Sequence, residues 1–466
     1  VTGKRFHPLG LWIFSFSISA MVQHPKRKRL SQEPQVGSIE ALTHEGRGVA
    51  RIGGKTVFIE GGLPGEEVLF HYVRQRSKFD EGRLLKVLQP APTRAEPRCR
   101  HFGVCGGCSL QHLSPGAQLQ LKQETLRAQF RHFGRVEPEQ WLTPLTGTDW
   151  GYRRKARLGV KFVKKKERVL VGFREKGGRL IAALECCEVL HPSVGLLLPE
   201  LGELIASLSC YDRIPQIEVA VGDNATALVF RHLVPLTAAD TEQLVGFGRA
   251  HGLQIYLQGG GVETLYLLWP ESAELNYSQC GNLEMVFLPT DFMQVNREVN
   301  IKMVQQALKL LELESHDRVL DLFCGVGNFT LPLASSGAEV VGIEGSAGLV
   351  ARAVANAKRN RLGNVHFEVA DLNERDWLHN VWAQNGFSKA VLDPPRSGAL
   401  TAVQQMSTLK VQRIVYVSCN PATLARDAGE LVNRQGYHLR CAGVMEMFPH
   451  TPHVETIALF EQARKN

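Results

Sequence analysis

Cys419 lies in Ser418-Cys419-Asn420-Pro421, between the apolar run Ile414-Val415-Tyr416-Val417 and the segment Pro421-Ala422-Thr423-Leu424. A β-branched run that stops at a polar turn predicts a strand with Cys419 at its C-terminal edge, where open α/β sheets hold their ligands. A thiolate there is a nucleophile. A lone free Cys more often packs as a small hydrophobe, so its meaning depends on what stands beside it. A base is offered by His450-Thr451-Pro452-His453-Val454-Glu455, just before an expected strand from Ile457 to Phe460. Glu455 is the first choice. His450 and His453 are the alternatives, with ordinary pKa values better suited to proton transfer. One thiol and one base suit a reaction in which sulfur adds to a conjugated ring carbon, the neighbouring carbon takes an electrophile, and a proton then leaves.

A second cysteine group is spaced for metal. Cys99, Cys105 and Cys108 form C-x5-C-x2-C, and Gly106 and Gly107 let the backbone curl without Cβ clashes. A closed site needs a fourth thiolate, which either Cys186 or Cys187 can supply. Structural zinc sites usually pair two C-x2-C units, so this spacing favours an iron-sulfur cluster.

These groups require a scaffold. From Pro289 onward strands and helices alternate, which predicts a doubly wound, Rossmann-like parallel sheet. After a helix from Asn296 to Leu313, the buried strand Arg318 to Phe323 runs into Cys324-Gly325-Val326-Gly327-Asn328-Phe329. Glycines there let a ligand approach closely, although Thr330 stands where a dinucleotide fingerprint needs a third glycine. The next strand ends at Glu344, placed to accept ribose hydroxyls. The third ends near Asp371, and the fourth, Lys389 to Leu392, enters Asp393-Pro394-Pro395-Arg396.

The remaining segments suggest a polyanion partner. A chain of 466 residues with net charge +8 supports two or three domains. Between Gly151 and Arg179 twelve Lys/Arg stand against Glu167 and Glu175, which favours nucleic acid over a merely solvated hairpin. Five short strands between Gly37 and Pro90 predict a small oligonucleotide-binding-type barrel. Arg74, Arg76 and Lys78 decorate one of its loops. At the N-terminus, Lys4 and Arg5 precede an apolar run, Leu9 to Ala20, too short to span a bilayer. Met21 is the expected natural start, with residues 1–20 an upstream extension, and no membrane association is expected.

Two resemblances extend these readings. His44-Glu45-Gly46-Arg47-Gly48-Val49-Ala50 and Glu60-Gly61-Gly62-Leu63-Pro64-Gly65-Glu66 resemble the TRAM domain, an RNA-binding module of RNA-modifying enzymes. Asp321 to Phe329, Leu392-Asp393-Pro394-Pro395-Arg396, Ser418-Cys419-Asn420-Pro421 and His453-Val454-Glu455 resemble the RNA uracil-C5 methyltransferase family. Pro395 replaces an alanine found in some relatives.

The resemblance implies that Cys419 attacks carbon 6 of uracil and that Glu455 removes the carbon-5 proton. It further implies that Gln294, Phe323, Asn328, Glu344, Asp371 and Asp393 line the S-adenosylmethionine and uracil site. Cys187 is implied as the fourth ligand of a [4Fe-4S] cluster with Cys99, Cys105 and Cys108. Within the family, barrel and cluster occur together in the member that modifies uridine 1939 of 23S ribosomal RNA, which implies that RNA as partner.

The expected organisation is a disordered or mis-assigned extension (1–36), a TRAM barrel (37–90), a central α+β domain with cysteines and basic block (91–288), and a methyltransferase domain (289–466). A cytoplasmic monomer is expected. The rivals are a uracil-C5 methyltransferase acting on another uridine of ribosomal or transfer RNA, an exocyclic-amine methyltransferase, which needs no nucleophile, and a non-catalytic ribosomal RNA-binding assembly factor.

Overall fold

The computed structural model describes residues 33–374 and 376–462. The expected N-terminal extension, with Met21, lies outside them up to residue 32. Among the described residues no helix is long and apolar enough to cross a membrane.

The chain begins with β1 (Gln35–Leu42), β2 (Arg47–Ile52), β3 (Lys55–Glu60), β4 (Glu67–Gln75) and β5 (Phe79–Gln89), which close into a barrel in the order β1-β2-β3-β5-β4. Alternation places Ile39, Ala50, Val57, Ile59, Val68 and Phe70 inside. Glu66 fastens the barrel to the next segment: its buried carboxylate accepts from the Leu63 and Ala91 amides and from Arg94.

Next come α1 (Pro115–Gln129) and the short β6 (Gln140–Trp141). The sequence reading places both in the central domain, but they join the last sheet. Strand β6 pairs at its far edge, and Leu126, Phe130 and Val136 enter its core. The approach is close: a Cβ on Gly134 would stand 2.6 Å from the Ala425 carbonyl oxygen. Helix α1 hides this role because two of its three buried side chains, Gln118 and Lys122, are polar.

The central unit comprises β7 (Lys155–Val163), β8 (Arg168–Gly172), α2 (Pro192–Gly195), α3 (Leu198–Ser207), β9 (Gln216–Val221), β10 (Thr226–Arg231), α4 (Ala238–His251), β11 (Leu253–Gln258) and β12 (Leu265–Trp269). Its sheet runs β12-β11-β10-β9-β7-β8, so β8 is an edge strand. A hairpin, β13 (Leu275–Gln279) with β14 (Leu283–Phe287), connects it to the C-terminal unit.

The C-terminal unit follows as α5 (Arg297–Leu311), β15 (Arg318–Leu322), α6 (Thr330–Ala334), β16 (Glu339–Glu344), α7 (Ala347–Arg359), β17 (Val365–Val369), α8 (Val381–Gln384), β18 (Lys389–Leu392), α9 (Leu400–Val403), β19 (Arg413–Ser418), α10 (Pro421–Gln435), β20 (Tyr437–Met445) and β21 (Glu455–Gln462). Its sheet order is β17-β16-β15-β18-β19-β21-β20-β6, parallel from β17 to β19. The inner strands are continuous apolar runs because both faces are covered. From β15 the chain first proceeds outward through β16 and β17, then returns to β18 on the other side. That reversal opens a crevice at the carboxyl ends of β15 and β18, where such sheets bind ligands.

Candidate active site

Strand β21 runs antiparallel between β19 and β20, with Ser418 opposite Thr456 and Met445 opposite Glu455. Cys419 follows Ser418 and Glu455 precedes Thr456, so one register delivers both to the same end of the seam. Thr456 Oγ1 donates to the Ser418 carbonyl at 3.0 Å and fixes that register. Cys419 then sits in a tight turn. Ser418 Oγ accepts from the Asn420 amide at 3.1 Å, and Asn420 caps α10 by accepting from the Ala422 amide at 3.1 Å. The Asn420 side chain also donates to the Arg396 carbonyl at 3.0 Å, which brings the Asp393-Pro394-Pro395-Arg396 loop against the cysteine. Behind that loop, buried Asp427 accepts from Tyr416 at 2.7 Å and from the Ala399 amide at 2.8 Å.

The site gathers acids whose protons are hard to remove. Burial pushes Glu455 up to about 8, with the Asp393 charge adding to the shift and Arg396 and Lys122 opposing it. Asp393, at the end of β18, is pushed up to about 7 by burial, against a 3.4 Å hydrogen bond from Gln294 Nε2. Cys419 is half-buried and raised to about 11 by burial, then by Glu455 and Asp393, while Arg396 lowers it. The Asp393 charge thus bears on both Glu455 and Cys419.

The alternative bases, His450 and His453, differ in their surroundings. His450 is buried, stacks on Trp150 at 4.0 Å between centroids and meets Gln118, and burial holds its pKa near 4. His453 is exposed, with Arg396 Nη2 3.3 Å from its Nδ1.

Beside this cleft runs the glycine loop after β15. Phe323 adopts φ 66°, a left-handed conformation costly for an aromatic residue, and its amide donates to the Ile343 carbonyl. Gly325 and Gly327 also have positive φ; a Cβ on Gly327 would stand 2.5 Å from Leu331 Cδ1. Glu344 accepts from the Gly325 amide at 3.2 Å and the Ser346 amide at 3.0 Å, so the expected ribose acid closes the loop.

The other expected ligands are less direct. Asn328 Oδ1 accepts from Tyr277, Gln279 and Asn300, which commits its side chain to the hairpin and α5. Asp371 stands apart, exposed at the end of β17 and bonded to Asn373. Asp321, in the strand that leads into the glycine loop, is fully buried. One of its oxygens accepts from Thr330 at 2.5 Å, the other has no partner, and burial raises its pKa to about 7. An unsatisfied buried carboxylate beside a glycine loop fits a ligand carrying ammonium or hydroxyl donors.

Sequence reasoning also missed Lys122 and gave Arg396 no role. Arg396 could have been noticed, because it ends the acid-Pro-Pro motif. Lys122 could not, because a lysine at a helix position reads as surface.

The cysteines gather in a second pocket, lined by Cys99, Cys105, Cys108, Cys186 and Cys187 with Phe102, Phe173 and Leu184. The Gly106 amide donates to the Arg174 carbonyl at 2.8 Å, and a Cβ there would be 3.0 Å from the same oxygen. Burial pushes Cys108 up to about 12 and Cys187 up to about 11. The Cys186 thiol instead lies 3.9 Å from Glu188 Oε1. Among the described residues no group of three or more His, Cys, Asp or Glu side chains is placed to hold a metal ion.

The basic block is the hairpin β7–β8 and its flanks. Internal ion pairs engage Arg154 with Asp223, Lys155 and Arg157 with Glu218, and Lys176 with Glu60. Lys161, Lys164, Lys165, Lys166 and Arg168 are exposed and, among the described residues, form no ion pair. The free charge is concentrated at the hairpin tip.

Comparison with known proteins agrees with this geometry. A family model described as tRNA (Uracil-5-)-methyltransferase matches residues 248–463, and a TRAM domain model matches residues 38–69. The 23S rRNA (uracil(1939)-C(5))-methyltransferase RlmD of Nitrosococcus oceani is 79% identical over 96% of this chain and 100% of its own. Its counterpart from Alkalilimnicola ehrlichii is 54% identical over 94% of this chain and 98% of its own. Among solved structures, the tRNA (uracil-54, C5)-methyltransferase of Pyrococcus abyssi in complex with S-adenosyl-L-homocysteine superposes with TM-score 0.71 at 25% identity, covering 91% of this chain and 99% of its own. A shared barrel, a shared catalytic unit and near full-length identity lead to one conclusion: the chain belongs to the family of 23S rRNA (uracil(1939)-C(5))-methyltransferases.

Proposed function

We propose that the protein methylates carbon 5 of uridine 1939 in 23S ribosomal RNA, with Cys419 as nucleophile and Glu455 as base. The observation that carries this reading is the β19–β21 register, which puts a thiol and a buried carboxylate at one end of one seam. The target identity follows the named relatives.

Cys419 reacts as a thiolate, its proton going to solvent, and adds to carbon 6 of the uracil. The electron pair displaced from the ring double bond makes carbon 5 nucleophilic. When bound, S-adenosylmethionine supplies an electrophilic methyl group and leaves as a neutral thioether. Carbon 5 then carries both the methyl group and its original hydrogen. The Glu455 carboxylate accepts that proton, the C–H electron pair restores the double bond, and the carbon-sulfur bond breaks with its pair returning to Cys419. A carboxylate held near 8 is a stronger base than an ordinary glutamate. Arg396 favours the ionised form of both reacting groups. Carbon 6 is out of reach in a duplex, so the nucleotide must be unpaired or flipped out.

Glu344 and the loop from Phe323 to Asn328 would hold the donor, with Asp371 at its margin, while Gln294 and Asp393 would face the uracil. Asn328 acts through its backbone, because its side chain is already engaged. Cys99, Cys105, Cys108 and Cys187 would hold a [4Fe-4S] cluster. The methyl transfer needs no redox step, so that group has a structural or RNA-positioning role. One chain carries both catalytic residues, and we place it in the cytoplasm as a monomer. The test is incubation with labelled S-adenosylmethionine and unmodified 23S RNA, followed by mapping of the label. Label on carbon 5 of uridine 1939 is expected. Label on an exocyclic amine, or none, would overturn the reading.

A further inference from the structure

Between Met445, which ends β20, and Glu455, which begins β21, the chain crosses a mostly buried connection that has a few hydrogen bonds of its own, such as Thr451 to the Phe448 carbonyl, and is held at several points from outside. Lys122 Nζ donates to Glu446 Oε1 and, at 3.0 Å, to the Phe448 carbonyl. Tyr152 donates to the Pro449 carbonyl at 3.2 Å. Gln118, one turn before Lys122 on α1, works at both ends of its amide. Its Oε1 accepts from the His450 amide at 2.9 Å, and its Nε2 donates to the Leu113 carbonyl at 2.8 Å and the Leu110 carbonyl at 3.1 Å. The following peptide unit is gripped as well, because the Ser109 and Leu110 amides both donate to the His450 carbonyl at 3.0 Å. Ser109 directly follows Cys108, so the exit of the cysteine loop and α1 clamp one residue of the strand that leads to Glu455.

His450 needs such a clamp, since it sits at φ 67°, where a side chain is strained. Gln118, Lys122, Glu446 and His450 are all buried. A buried ion pair contributes little net stability against an apolar replacement of the same shape. What these polar groups can supply is one defined path for the segment.

We infer that Gln118, with Lys122, is a positioning residue for proton removal: by fixing the His450 peptide it sets where Glu455 stands against Cys419, and it makes the cysteine-loop exit part of the same brace. The inference rests on the roles proposed above for Cys419 and Glu455. It separates the two halves of the reaction. Cys419 and the glycine loop are anchored by β19, α10, β15 and β16, so adduct formation and methyl transfer do not depend on the brace. Proton removal does.

The test uses full-length protein, a 23S RNA fragment containing uridine 1939, and labelled S-adenosylmethionine. Quenched reactions are resolved on denaturing gels, and protein-linked methylated RNA is compared with free methylated RNA. Gln118→Met keeps the shape and removes the hydrogen bonds. Its ratio of linked to free product is expected to rise at least about tenfold, since a small misplacement of a catalytic group costs on the order of 10–100-fold in rate. Lys122→Met with Glu446→Leu removes the buried pair together and is expected to shift the ratio in the same direction, but it also removes a charge that opposes the raised pKa of Glu455, so Gln118→Met is the deciding variant. Because the ratio is taken within the active fraction, partial misfolding does not alter it. An unchanged ratio in Gln118→Met, with methyl transfer and release slowed alike, would overturn the brace while leaving Cys419 and Glu455 in place. A wild-type protein that forms no linked species would instead overturn the underlying reading, and the brace with it.

Discussion

Ser418 and Thr456 face each other across β19 and β21, and the threonine hydroxyl donates to the serine carbonyl at 3.0 Å. One residue beyond each stand Cys419 and Glu455, 36 positions apart in the chain and brought to the same end of the seam by the register. A one-residue slip would turn every side chain of β21 to the other face. The chemistry is therefore set by strand pairing, and substitution at either residue should separate steps rather than unfold the protein.

Release of product should follow the ionisation of Glu455. Its carboxyl, ordinarily at 4.5, is raised to about 8 by burial and by Asp393, so it is mostly protonated at neutral pH. In single-turnover experiments from about pH 6 to about pH 9, resolution of the linked species should accelerate and level off above about 8. Glu455→Gln should abolish that rise. A pH-independent resolution rate in the wild type would remove Glu455 as the base.

The same shift affects stability. A carboxylate with a raised folded pKa favours the fold fully below its unfolded value, and that contribution is lost as pH rises through the folded value. Between 4.5 and about 8 the unfolded chain ionises Glu455 while the folded chain resists. Glu455→Gln should therefore raise the Tm relative to wild type at pH 8, with little difference near pH 4. Equal Tm differences at both pH values would show that burial does not set the shift.

Cys187 and Cys186 should behave differently despite being adjacent. Cys187 feels the charges of Cys105 and Cys99, whereas the Cys186 thiol lies 3.9 Å from Glu188 Oε1. Cys187→Ser should lose brown colour and iron on purification, and Cys186→Ser should retain both. Loss in both variants, or a colourless zinc protein as wild type, would contradict the assignment.

Lys164, Lys165 and Lys166 lie at the exposed tip of the β7–β8 hairpin. Replacing all three with Gln should weaken RNA binding and lower the slope of log K against log salt by roughly 2–3, as release of about one counterion per contact requires. Filter binding across a salt series measures this. An unchanged slope would move the RNA to another face.

Much of this was legible in the sequence. The five barrel strands and the parallel strands appear as alternation or apolar runs, and the catalytic motifs stand at strand ends. Other features had no local signal. Helix α1 reads as surface because Gln118 and Lys122 occupy core positions, so neither its membership of the last sheet nor its hold on the Glu455 segment was apparent. The basic block overstated its free charge, since Arg154, Lys155, Arg157 and Lys176 pair with acids distant in sequence. The engagement of Asn328 by Tyr277, Gln279 and Asn300 likewise depends on tertiary packing.

Glu344→Gln should raise the dissociation constant for S-adenosylmethionine by about tenfold, because a charge-assisted hydrogen bond is worth roughly 1.5–3 kcal/mol. The maximal rate of methyl transfer should change little. Calorimetric titration with S-adenosylhomocysteine tests this, and an unaltered affinity would place the ribose elsewhere.

The most direct measurement compares Cys419→Ala and Glu455→Gln with wild type on unmodified 23S RNA, following protein-linked RNA on a denaturing gel. Cys419→Ala should form no linked species and no methylated uridine while still binding S-adenosylmethionine. Glu455→Gln should accumulate a linked, methylated species that persists. Methylation by Cys419→Ala, or failure of Glu455→Gln to accumulate the linked RNA, would contradict the covalent mechanism.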